Sequence, residues 1–329
     1  MTLKIGRSFM NGNKNRTRFP MAHTFSIVAR DLGTGRLGVA VQSHWFSVGS
    51  LVAWAEAGVG AVATQAMVEV SYGPLGLVLM RAGKAAPEAL AALLAADEGQ
   101  DIRQVAMVDA AGKTAAHTGA RCIAEAGHEV GDGFSVQANM MKETAVWPAM
   151  AEAYRRAEGD LAERLLVALE AGQGEGGDIR GRQSASILIV EATSTGRPWA
   201  DRVMDLRVED HPTPIQELRR LVHLHRAYRH MNRGDERLGE GDVEGALQEY
   251  RTAAEMAPDV EELPFWHAVA LADLGRMEEA RSILAQVLAI NPDWAELVRR
   301  LPQAGLMRDD PELMAQILAL VPVTNGTSF

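Results

Sequence analysis

FPMAHTFSIVARDLGTGRLGVAVQS, residues 19–43, decides how the first half of the chain is read. Within it TFSIVAR alternates, with Phe25, Ile27 and Ala29 on one face, and LGVAVQS alternates again, with Leu37, Val39 and Val41 aligned. Period-two patterning in β-branched residues, split by the Gly-bearing DLGTGR connection, predicts a hairpin. Thr24 opens its first strand. A threonine in this place is either a plain strand residue or, if the chain is cut before it, a nucleophile. In the second case its own α-amine, with a pKa of about 8, is the base that takes the hydroxyl proton.

The pattern extends outward from this hairpin. GVGAVATQA (58–66) reads as a third strand. Pro74 with Leu75 and Leu79 at helical spacing predicts a helix to about Ala82, and PEALAALLAAD (87–97) predicts a second with Pro87 at its start. IRQVAMVDA and KTAAHTG form a hairpin across the Ala110–Gly112 turn, and FSVQANM (134–140) is a further strand. Helices follow at 145–157 and 161–171; the latter opens on Asp160 with Glu163 three residues on, and ends at Gly172. SASILIVEA (184–192) and VMDLRVE (203–209) are the last strands. Strand pairs joined by tight turns imply antiparallel sheets. The order of elements predicts an α+β fold, a four-layer α-β-β-α sandwich.

Beyond DHPTP (210–214) the pattern turns helical, with Leu218, Leu221, Val222, His225 and Tyr228 on one stripe. GDVEGALQEYRTAAEMAPD (241–259) then recurs as GRMEEARSILAQVLAINPD (275–293), an offset of 34 residues that aligns Gly241 with Gly275, Ala246 with Ala280 and Pro258 with Pro292. That period, with small residues where helices cross and a closing proline, is tetratricopeptide-like. A degenerate third unit is expected, with Trp294–Leu301 as its first helix and Asp310 and Pro311 starting its second. The expected domains are a disordered extension over 1–20, an α+β domain over 21–211 and an all-α repeat domain over 212–329. Met21 as the true initiator is an alternative for the extension, which carries five basic side chains, no acid and no apolar core of a signal peptide.

Composition narrows the function classes. The chain has 329 residues, 47% hydrophobic, and a net charge of −10, which argues against nucleic-acid and anionic-membrane binding. No apolar run reaches the ~18 residues of a membrane span. One cysteine, Cys122, excludes an internal disulfide and fits a reducing, cytoplasmic setting. The expected partners are a small-molecule or peptide substrate, a protein bound through the helical repeats, and further copies of the chain as a homo-oligomer. No cofactor, nucleic acid or membrane is expected.

Several polar groups could serve a site. GEGGDIRGRQSA (174–185) is not a phosphate loop, because no GK[ST] follows and a strand comes next. Its Asp178 and Arg180 either pair in solvent or contact a polar substrate, and Gln183 and Ser184 supply hydrogen bonds. Thr64, Gln65 and Asn139 stand at or near strand ends, suited either to holding an oxyanion or substrate or to core hydrogen bonding. His117, Cys122 and His128 match no zinc spacing; Cys122 reads as a small core thiol, with a nucleophile as the alternative. His223, His225 and His230 read as surface or interface residues.

HTFSIVARD, GRLGVAVQS, GVGAVATQA, YGPLGL, HTGARC with AGH, and GGDIRGRQSA together resemble a bacterial family, the domain-of-unknown-function 1028 family. The resemblance covers residues 23–211 and implies an N-terminal-nucleophile-hydrolase-like fold. It makes Thr24 the candidate nucleophile, with Ser26 as the alternative, and places His117 and His128 near the site. Members often begin with Met directly before such a strand, whereas here Ala22 and His23 intervene. The reading is therefore a hydrolase of amide bonds in a small molecule or peptide, with a non-catalytic binding or scaffold protein as the alternative.

Overall fold

The computed structural model describes residues 21–322, with side chains from His23 onward. The extension over 1–20, expected to be disordered, lies outside them. The chain divides into two compact units, the first ending at Arg219.

The first unit opens with β1 (Met21–Ala22), β2 (Thr24–Arg30) and β3 (Leu37–Ser43), then a short α1 (Gly49–Val52), β4 (Ala53–Glu56) and β5 (Gly60–Met67). Next come α2 (Tyr72–Arg81), α3 (Ala86–Ala96), β6 (Arg103–Asp109), β7 (Thr114–Thr118), β8 (Gly127–Gly131) and β9 (Phe134–Ala138). It continues with α4 (Val146–Arg156), α5 (Leu161–Gly174), β10 (Ser184–Val190) and β11 (Arg202–Val208). All described pairings are antiparallel. One sheet runs β1-β5-β6-β7, with β4 also on β5; the other runs β11-β10-β3-β2-β9-β8.

Strand parity produces the layers. Val62, Val105 and Met107 of the first sheet pack with Tyr72, Leu77 and Leu90 of α2 and α3. Their neighbours Ala61, Ala63, Ala106 and Val108 face inward and meet Val28, Val39, Val41 and Leu188 of the second sheet. On the far side of that sheet, a Cβ on Gly38 would meet Leu165 at 2.9 Å, and one on Gly172 would meet Met150 at 2.8 Å and Phe25 at 3.2 Å, so α4 and α5 close the fourth layer. Asp160 caps α5 by accepting from the Glu163 amide at 2.9 Å. The α-β-β-α sandwich read from the sequence is the fold observed.

The helix α6 (Pro214–Gly239) spans the division between the units. The second unit continues with α7 (Val243–Met256), α8 (Glu262–Asp273), α9 (Met277–Ile290), α10 (Asp293–Arg300) and α11 (Pro311–Leu318). Ala246 and Ala280 are wholly buried in one core with Phe265, Leu284 and Val298. Gly234 lets α6 approach α7: a Cβ there would meet the Tyr250 ring at 2.5 Å. The two helices expected of a degenerate third unit are present as α10 and α11, and Asp310 caps α11 by accepting from the Glu312 and Leu313 amides.

Candidate functional site

Between the two sheets of the first unit, the apolar interior of Val28, Val39 and Val41 gives way toward the N-terminal end of β2 to polar side chains. Strand parity delivers them. Thr24 and Ser26 precede Val28 on its face of β2, Ser43 follows Val41 on β3, Ser135 and Gln137 lie opposite Val28 and Ser26 on β9, and Gln65 follows Ala63 on β5. All of them, with Gln104 of β6 and Asn139 just past β9, are wholly buried.

Backbone carbonyls orient the amides in this layer, because a carbonyl only accepts. Gln104 Nε2 donates to the Ala138 carbonyl at 2.8 Å, which turns Gln104 Oε1 toward the donors Gln65 Nε2 (2.7 Å) and Asn139 Nδ2 (2.8 Å). Gln65 Nε2 also donates to the Thr24 carbonyl at 3.1 Å, leaving Gln65 Oε1 to accept from Ser26 Oγ at 2.6 Å. Gln137 Nε2 donates to the same Ser26 oxygen at 2.6 Å. Asn139, with its nitrogen so used, presents Oδ1 to His23 Nδ1 at 2.7 Å.

His23 is the hub. Its carbonyl accepts from Ser43 Oγ at 2.6 Å and from Arg180 Nη2 at 2.8 Å. Its ring is buried, with Nε2 lacking any hydrogen-bond partner. Burial pushes its pKa below the ordinary 6.5, outweighing the raising effect of Asn139, and the nearby Arg180 cation acts in the same direction as burial. Arg180 is itself fixed by Asp178, whose carboxylate accepts from its Nε (3.0 Å), its Nη2 (2.7 Å) and its backbone amide (3.0 Å), as well as from the His44 amide at 3.0 Å. The Asp178 side chain is completely buried while Arg180 is partly open. Phe46 and Ile179, beside these residues in sequence, are exposed apolar side chains.

The backbone is strained around the same point. Among the described residues three non-glycines have positive φ: Ser47 at 54°, Ala66 at 71° and Met140 at 57°. Ala66 follows Gln65 and pairs with Ala22, Met140 follows Asn139, and Ser47 lies in the loop where the Val48 amide donates to Ser184 Oγ at 3.1 Å. Such conformations cost about 1–3 kcal/mol each and gather at functional sites.

The structure thus brings together Thr24, Ser26, Gln65, Asn139, Asp178 and Arg180 of the residues singled out from the sequence. Ser184, opposite Ser43 on β10, holds the Trp45 carbonyl at 2.5 Å and so shapes the rim loop. The other three stand apart. Thr64 has the opposite parity to Gln65 and donates to the Glu69 carbonyl at 3.0 Å. His117 sits opposite Val105, whose side chain faces the helices, and its Nε2 meets the Gln100 carbonyl at 2.9 Å. Gln183 is half-buried and donates to Asp210 at 3.2 Å. Ser26 lies between two amides, and no base is among its partners. Cys122 donates to the Arg103 carbonyl at 3.3 Å, and burial raises its pKa. His128 meets Thr118 Oγ1 at 2.8 Å, and burial and then His117 lower its pKa. Among the described residues no three His, Cys, Asp or Glu side chains are grouped to hold a metal ion.

His23, Ser43, Gln104 and Gln137 were not singled out as site residues by sequence. The available signal was a run of polar residues on the inward parity of strands whose other inward residues are apolar. A separate cleft lined by Asp31, Arg36, Asp160 and Met204 lies at the far end of β2, about 20 Å from Thr24 at the usual rise per residue, and contacts none of this network.

Comparison with known proteins agrees with both units. A tetratricopeptide repeat model matches residues 237–301, which points to protein interaction. The crystal structure of protein SPO2555 from Silicibacter pomeroyi, itself assigned to DUF1028, superposes with a TM-score of 0.55 at 30% identity, covering 61% of this chain and 88% of that one. No curated protein matches. The model described as "Family of unknown function (DUF1028)" matches residues 24–218, beginning at Thr24, and the chain belongs to that family.

Proposed function

We propose that the first unit hydrolyses amide bonds in a small molecule or peptide, with Thr24 as the nucleophile once the His23–Thr24 bond is cut. The observation that carries this reading is the pair of hydrogen bonds on the His23 carbonyl, from Ser43 and Arg180. A hydroxyl and a guanidinium on one carbonyl are what an oxyanion needs, and the residue bearing the nucleophile is its immediate neighbour. In the cut, Thr24 Oγ1 adds to the His23 carbonyl carbon and the C–N bond breaks. The hydroxyl proton passes to the departing nitrogen, which becomes the Thr24 α-amine. Water then hydrolyses the ester, restoring the hydroxyl and releasing His23 as a carboxylate.

Turnover reuses the same parts. The amine takes the Thr24 hydroxyl proton as Oγ1 adds to the substrate carbonyl, then hands it to the leaving amine; water hydrolyses the acyl ester. Loss of His23 vacates a space faced by Ser43, Asn139 and Arg180 and opens the way to Thr24. The three strained residues are consistent with a site held in place by its surroundings. The single cysteine fits a cytoplasmic hydrolase, and the repeats would recruit a protein partner to it.

A second reading rests on β1, whose pairing of Met21 with Met67 and Ala22 with Ala66 ties the segment before Thr24 into the first sheet. An uncut chain of this kind is a binding protein that works through its repeats. Intact mass and N-terminal sequencing decide between the two. The hydrolase reading expects Thr24 as the first residue, and a Thr24→Ala variant that folds but stays uncut and inactive. A wild-type chain that still carries His23 after prolonged incubation overturns it.

A further inference from the structure

The residue before the proposed nucleophile occupies the place of a substrate's acyl group, and the way it is held specifies what that group carries. We infer that the site takes amides of acyl groups bearing a neutral N–H donor of imidazole size, histidyl amides first among them. This inference rests on the hydrolase reading above.

The argument runs through the orientation of Asn139. The Ala138 carbonyl fixes Gln104, Gln104 Oε1 claims Asn139 Nδ2, and Asn139 is left with only an acceptor, Oδ1, facing the side chain of His23. An acyl side chain seated there must donate. A hydrocarbon side chain would leave that buried oxygen unpaired, which is the means by which polar sites reject apolar analogues most strongly. A cation is disfavoured as well, since Arg180, fixed by Asp178, donates to the adjoining carbonyl and burial disfavours charge. Imidazole satisfies both demands in its neutral form, with the proton on Nδ1. His23 Nε2 finds no partner, so recognition is read at one nitrogen alone.

The test uses the full-length wild-type protein, avoiding any variant that might fail to fold. N-acetylated histidyl, leucyl, lysyl and Nδ1-methylhistidyl 4-nitroanilides, whose acylated nitrogen is neutral as that of His23 is, are compared by kcat/KM, alongside N-terminal sequencing of the same preparation. The expected result is Thr24 at the N-terminus and a preference of about 100-fold or more for the histidyl substrate over the other three. The Nδ1-methyl compound is the sharpest probe, because it keeps the ring and replaces the donor hydrogen with a methyl group. Thr24 at the N-terminus with hydrolysis that ignores the acyl side chain overturns the specificity and leaves the hydrolase standing. A cut chain that hydrolyses none of the four overturns the specificity alone, and a chain that retains His23 overturns both.

Discussion

At the residue scale, neighbouring side chains in one strand have unrelated fates. Thr64 and Gln65 are adjacent polar residues, equally attractive in sequence, yet parity sends one toward the helical layer and the other between the sheets. Alternation shows that two faces exist; when both are buried, it does not reveal which one meets the other sheet. This is why Gln104 and Gln137 escaped notice inside strands, and why His23 read as an obstruction although its carbonyl and ring organise the site. The difference is measurable. Gln65→Leu would remove a donor from the Thr24 carbonyl and from Gln104 and an acceptor from Ser26, each buried. Unpaired buried groups cost about 1–3 kcal/mol apiece, so a loss of roughly 3–5 kcal/mol is expected. Thr64→Val removes one hydrogen bond to the Glu69 carbonyl and should cost about 1 kcal/mol. Urea denaturation of the two variants is the measurement, and equal losses would mean that the layer does not act as a connected network.

At the element scale, most elements of the first unit were legible, and the short α1, β4 and β8 were not. Alternation marked β2 and β3, and the 34-residue repeat marked α7 and α9. By contrast β4 is the four residues AWAE and β8 is GHEVG, too short or too rich in glycine to show a period, and each is placed by its partner strand. The repeats also hold a residue that pattern alone could not flag. His267 of α8 is buried with Nε2 unpaired; burial first, then Arg251 and Arg276, lower its pKa from 6.5 to about 4, against a smaller raising effect of Glu279. The unfolded chain therefore binds a proton that the folded one refuses between pH 6.5 and 4. Stability from this group is fully present above pH 6.5 and is lost as pH falls through that window, by up to about 3 kcal/mol. Comparing denaturation at pH 7.5 and pH 4.5 for the wild type and His267→Gln should show a flatter pH dependence in the variant. Parallel curves would place the histidine's charge outside the energetics of the unit.

At the scale of the whole molecule, the sequence puts the boundary at a pair of prolines, and the physical chemistry of the next helix argues for a later one. Residues 210–214 look like a linker because two prolines break any regular element. Yet Ile215 and Leu218, one turn into α6, are 1% and 0% exposed, and Arg219 forks onto Glu170 at 2.6 and 3.0 Å while also reaching Glu163 at 2.8 Å. The ion pairs are over a third exposed on the Arg219 side, so solvent screens them and they contribute about 1 kcal/mol or less. The two aliphatic side chains weigh more, at about 1.5–3 kcal/mol each. We therefore place the functional end of the first unit within α6. A chain ending at Asp210 should melt well below one ending at Arg226, and the longer fragment should hold its first-unit transition where the full protein does. The same pair of fragments carries information on the site, since Gln183 bonds to Asp210 and the His211 amide donates to the Gln183 carbonyl at 2.7 Å, next to Ser184 and the rim loop. If the shorter fragment melts with the longer one and shows the same N-terminal residue, the start of α6 belongs to the repeats alone and the boundary returns to the prolines.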